Sequence, residues 1–248
     1  MIETFTALLL AHVLADFAFQ SRWMAEHKGK PGAMLGHAAV VLATAVAAVG
    51  SASLLLVGLA ALHLAIDLAK LGASRTRLGG QRLALFIVDQ ALHGASLAVI
   101  ARLAPGLWAG GHLASLPALP PLYALGAGLI LATRAGGFAV GLLMDPWTTQ
   151  AWGGTMAAEG LPNGGRAIGL LERGLIFCLV MTGQAGGIGF LIAAKSVLRF
   201  GSVGDDRKIS EYVIIGTLAS FGWAFATAAG TLVLLAHLPP LGIPDLSH

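Results

Sequence analysis

The stretch HVLADFAFQ, His12 to Gln20, sets a histidine, an aspartate and a glutamine at four-residue intervals in apolar sequence. On a helix, residues four apart stack on one face, so His12, Asp16 and Gln20 form a polar stripe. The spacing returns in HLAIDLAK, with His63, Asp67 and Lys70, and in reversed order in DQALH, with Asp89, Gln90 and His93. His37 adds a further imidazole. Imidazole and carboxylate together suit zinc, manganese or iron, and i, i+4 spacing lets one helix supply two ligands. His12, His37, His63, Asp67 and His93 are therefore read as metal ligands, with zinc the expected ion and Asp16 and Asp89 the candidate general bases. Gln20, Lys70 and Gln90 are read as side chains that orient them. The set is enough for one four-coordinate ion with outlying carboxylates, or for two ions bridged through an aspartate. The bland alternative is a hydrogen-bond network that only locks helices together. Three His/Asp pairs plus His37 on four neighbouring helices favour a site over that network.

The elements that must position these residues are membrane helices. Of the 248 residues, 56% are hydrophobic and 11% charged. The first segment, MIETFTALLLA, opens with an acid rather than a basic region and reads as a retained helix, not a signal peptide. The single cysteine, Cys178, excludes an internal disulfide or a cysteine metal cluster, and the small excess of Lys and Arg gives no reason to expect nucleic acid as a partner. Apolar runs long enough for a bilayer fall at about 2–20, 34–50, 52–71, 83–104, 121–144, 166–182, 185–200 and 211–236, which predicts an all-α, polytopic bundle of about eight helices. The run TGQAGG between the sixth and seventh reads as a tight turn.

Basic residues mark alternate connections. Arg22, Lys28 and Lys30 follow the first helix, Arg75, Arg77 and Arg82 separate the third and fourth, Arg166 precedes the sixth, and Arg199, Arg207 and Lys208 separate the last two. The intervening connections carry none, so both termini are expected outside the cytoplasm. The chain then divides into a His/Asp-bearing half (1–104), an outer loop (105–120) with Trp108 as an interfacial anchor, and a C-terminal half (121–248). Residues 145–165 form the longest cytoplasmic connection. His27, His112, His237 and His248 are expected in solvent. LAHVLADF and ALHLAIDL share HxxxD, which suggests two hairpins related by a pseudo-twofold axis along the membrane normal.

The C-terminal half carries its own polar group: Arg134, Glu172, Arg173, Lys195 and Glu211, read at cytoplasmic depth. Arginine and lysine beside a metal would hold an anionic substrate such as a phosphate headgroup.

Taken together, HVLADFAFQSRWMAEHKGK followed by a His, HLAIDLAK, DQALH, GRAIGLLERGLIF, GFLIAAKSVLRF and EYVIIGTLASF resemble the bacterial membrane-protein family catalogued as domain of unknown function 3307. The likeness leaves out the outer loop and the tail. It implies an integral inner-membrane protein of bacteria and names no activity.

Three classes of function fit. A metal-dependent hydrolase would activate water against a membrane lipid or lipid-linked substrate at the cytoplasmic leaflet. A transporter or channel would use the same set as a cation or proton relay, and a scaffold would use it only structurally. The outer helix halves hold no ionisable group apart from Arg102 at a helix end. That one-sided placement favours the hydrolase, since transport needs a path to the other side.

Overall fold

The computed structural model describes residues 1–76, 80–152, 163–200 and 207–241, without the side chains of 149–152 and 198–200. Arg77, His248, the middle of the 145–165 connection and the Arg199 side chain lie outside the described residues. Among the described residues the regular structure is all helical, with no strand. The helices are α1 (Ile2–Leu14), α2 (Arg22–Glu26), α3 (Pro31–Val49), α4 (Leu54–Ser74), α5 (Arg82–Leu103), α6 (Leu119–Ile130), α7 (Gly136–Trp152), α8 (Gly164–Met181), α9 (Gly187–Phe200) and α10 (Arg207–Leu235). A π-turn, Ala15–Phe19, widens the end of α1, and another, Leu131–Ala135, joins α6 to α7.

Six helical stretches are long and apolar enough to cross a bilayer: Ile2–Phe19, Pro31–Val49, Leu54–Ser74, Arg82–Leu103, Leu119–Thr148 and Arg207–Leu235. Length and composition therefore mark a polytopic membrane protein. The expected sixth and seventh spans are not among them. α8 carries Arg166, Glu172 and Arg173, and α9 has only 14 residues, about 21 Å at 1.5 Å per residue. The turn expected at TGQAGG is present: Gly183 takes φ of +73°, and α9 starts against Leu179 of α8.

The chain divides into two compact units, 1–130 with 233–248, and 131–232. In the first, α1, α3, α4 and α5 form a closed ring, each packed on the next and α5 back on α1, with α6 against the outside of α1. One half of the ring is an apolar core of Leu8, Ala45, Val49, Leu56, Leu97 and their neighbours. The polar residues fill the other half. α5 shows how sequence makes this pattern: Asp89, His93, Ser96 and Leu97 are buried, while Ile87, Val88, Leu92, Val99 and Leu103 on the opposite face are exposed. Polar groups inside and apolar groups outside invert the soluble pattern, as lipid demands.

Trp108, expected as an interfacial anchor, is instead buried in this core, edge-on to Tyr123. Thr4 explains the difference: its hydroxyl donates to Pro105 O and accepts from Trp108 N, folding the loop back onto α1. Gly50, at φ of +74°, ends α3 and accepts from His112 N, which brings Gly111 against the Val49 carbonyl. A Cβ at Gly111 would collide with that oxygen. Gly111→Ala is expected to cost about 1–3 kcal/mol, read as a lower midpoint of thermal unfolding in detergent.

Candidate metal centre

Each member of the ring contributes to one cluster. α1 supplies His12, the π-turn Asp16, α3 His37, α4 His63 and Asp67, and α5 Asp89 and His93. All are buried except Asp16, whose side chain is 12% exposed. The π-turn falls on Asp16, whose carboxylate meets side chains of two other helices.

Asp16 is the hub. Its Oδ1 lies 3.3 Å from His37 Nε2 and 3.4 Å from His63 Nε2, and those two nitrogens are 3.1 Å apart. Gln90 Nε2 donates to Asp16 Oδ2 at 3.4 Å, and His12 Nε2 meets Gln90 Oε1 at 3.3 Å. Asp67 Oδ2 stands 3.6 Å from His37 Nε2 and 3.9 Å from His63 Nε2. On the far side His93 stacks on His63 with ring centroids 4.0 Å apart, and its Nε2 lies 3.5 Å from Asp89 Oδ1.

Three ligand trios are close enough to share an ion: Asp16, His37 and His63; Asp67, Asp89 and His93; His12, His63 and His93. Within each, one donor atom per residue lies within 4.8 Å of the others. The first is the tightest. A tetrahedral ion with bonds of about 2.0–2.1 Å sets its ligands about 3.3–3.4 Å apart, which the sides of this triangle match. Several polar atoms of the cluster are buried without a hydrogen bond, among them Asp16 Oδ1, Asp67 Oδ2, Asp89 Oδ1 and His93 Nε2. Such orphaned atoms are costly unless a cation or proton satisfies them.

Sequence reasoning assigned Asp16 to proton transfer; its spacing fits a ligand equally well. Lys70 donates to Asp89 Oδ2 at 2.7 Å, and Gln90 reaches both Asp16 and Asp89. Gln20 ends the π-turn with its amide nitrogen buried and without a hydrogen bond. Lys28 was missed. From the connection between α2 and α3 it donates to Asp67 Oδ1 at 3.2 Å. Its only signal in the sequence was a basic residue after a membrane helix, which reads as a topology marker.

The second unit holds the other expected group, and the described contacts divide it. Lys195 pairs with Glu172 at 2.8 Å across α8 and α9, and Glu211 pairs with Arg207 on the surface. Arg173, 5% exposed, donates from Nε to Thr133 O and from Nη1 to Ser220 Oγ. Trp223 donates to Leu131 O, so both side chains serve carbonyls of the second π-turn. Arg134 is exposed. His112 and His237 are exposed as expected, and His27 is half-buried, stacked on Trp23.

Fold and site thus define a helical membrane protein with a buried His/Asp centre among four of its helices. Residues 4–109 match the family model described as "Protein of unknown function (DUF3307)", and they contain every residue of that centre. The match ends before α6, so the likeness read in α8–α10 lies outside it. No curated protein and no solved structure matches the chain.

Proposed function

We propose that this protein is a metal-dependent hydrolase that cleaves an ester, amide or phosphoester of a lipid or lipid-linked substrate at the cytoplasmic leaflet of a bacterial inner membrane. The observation that carries the reading is the Asp16, His37 and His63 triangle, three buried donor atoms at the spacing of one ion's ligands. Asp16, His37 and His63 would hold a divalent ion, which when bound would supply an acidified water and Lewis-acid polarisation of the scissile group. Asp67 Oδ2, without a hydrogen bond and beside both imidazoles, takes the proton as the water oxygen attacks. It then passes that proton to the leaving group as the scissile bond breaks.

Charge supports the reading. Asp16, Asp67 and Asp89 bring three negative charges, Lys28 and Lys70 two positive ones. With neutral imidazoles the cluster sums to one negative charge, which a divalent ion together with one anionic ligand would neutralise. Neutrality is what a low-dielectric interior favours.

Read as cytoplasmic, the basic connections would put this end of the ring at the cytoplasmic leaflet. Single cysteines placed near residues 28 and 113 in a Cys178→Ala background should label from the cytoplasmic and outer faces respectively. The reverse pattern sinks the leaflet assignment. Function itself is tested by elemental analysis of protein purified without chelator, followed by hydrolysis assays on inner-membrane lipids in detergent. Metal-free protein of unchanged stability would leave the hydrogen-bond network as the account.

A further inference from the structure

Asp67 and Asp89 each divide their two oxygens the same way. One oxygen accepts from a lysine: Asp67 Oδ1 from Lys28 at 3.2 Å, Asp89 Oδ2 from Lys70 at 2.7 Å. The other, Asp67 Oδ2 or Asp89 Oδ1, is buried without a hydrogen bond, and so is His93 Nε2. Asp67, Asp89 and His93 also offer ligand atoms that all lie within 4.8 Å of one another. This trio adjoins the first through the His63 and His93 stack.

Asp89 Oδ1 faces His93 Nε2 at 3.5 Å and Asp67 Oδ2 faces His37 Nε2 at 3.6 Å, close contacts between buried atoms that do not amount to hydrogen bonds. The two oxygens beside an imidazole nitrogen make a hard, anionic ligand set suited to a divalent cation. The lysines supply the charge balance. Together they bring two positive charges to the same two carboxylates, which is the charge of one divalent ion. Their side chains are 28% and 31% exposed, so both ammonium groups can reach water by rotating their own flexible stems.

We infer that a second divalent cation binds Asp67, Asp89 and His93 in exchange for the ammonium groups of Lys28 and Lys70. The exchange leaves the net charge of the cluster unchanged. It rests on the reading of Asp16, His37 and His63 as the first ion's ligands. Asp67, the proton acceptor of that reading, would then lie beside both ions, and the second would add to the acidification of water supplied by the first.

Wild-type protein in detergent, loaded with zinc and desalted, should carry two ions per chain by elemental analysis, against one in Asp89→Asn and His93→Ala. Loading should raise the rate at which an amine-reactive label modifies Lys28 and Lys70 by at least about fivefold over other lysines, read by mass spectrometry. Lys70→Met should bind the second ion about tenfold more tightly, since a competing charge is gone. Manganese-loaded wild type should show the exchange-coupled resonance of paired ions, a readout that survives misfolding of any variant. One ion in wild type, unchanged by Asp89→Asn and with an uncoupled signal, overturns the second site and leaves the first. Two ions with unchanged lysine labelling overturn the exchange, and no ion at all overturns both readings.

Discussion

His63→Ala is expected to leave the purified protein without the ion of the Asp16, His37 and His63 triangle and its lipid turnover at background. His63 Nε2 belongs to the tightest ligand triangle, and its ring stacks on His93, so no other single side chain touches as much of the centre. The contrast is His12→Ala. His12 lies outside the tightest triangle, 4.0 Å from Asp16 and against His63 and His93, and meets Gln90, so its loss should weaken metal affinity by about 10 to 100-fold without abolishing it. Metal content by elemental analysis, measured beside circular dichroism to confirm the helices, separates the two. Equal metal content in His63→Ala and wild type would remove the triangle as a binding site.

Asp67→Asn is expected to keep the ion held by Asp16, His37 and His63 while turnover falls about 100 to 10,000-fold. The amide keeps the shape and the contact to Lys28 but cannot take a proton. Asp16→Asn differs, because Asp16 Oδ1 sits between His37 and His63 and its loss should take the metal with it. The assay follows hydrolysis of membrane lipids in detergent, where no gradient exists for transport. If wild type turns over no lipid class, and reconstituted vesicles show cation or proton flux abolished by Asp67→Asn, the transporter reading replaces the hydrolase.

Much of the centre was legible because its signal is local. A period of four inside apolar sequence places His12 with Asp16, His63 with Asp67 and Asp89 with His93 before any packing is known, and the cost of stranding such groups in lipid makes them converge. What stayed hidden depends on distant packing. Lys28 lies in a charged connection, and only the turn from α2 into α3 brings it over Asp67. Trp108 sits in a Gly- and Pro-rich loop that a single hydroxyl, Thr4, folds inward. Glu172 and Lys195 look like site residues one by one, yet an antiparallel turn closes them on each other. The π-turn at Asp16 has no signature in the residues.

The pairing of Lys70 with Asp89 also bears on how the chain enters the bilayer. An isolated Asp or Lys at the centre of a helix costs about 2.5–3.5 kcal/mol on insertion scales, so α5 is a poor candidate to enter alone. α4 and α5 are consecutive, and their contact lets the hairpin enter with Lys70 and Asp89 already neutralising each other. Asp67, by contrast, finds its cation on Lys28, which the ribosome has made before α4 exists. In each pair the lysine is synthesised first and the carboxylate follows. Synthesis from the N-terminus therefore never leaves Asp67 or Asp89 in lipid before its counter-charge has been made.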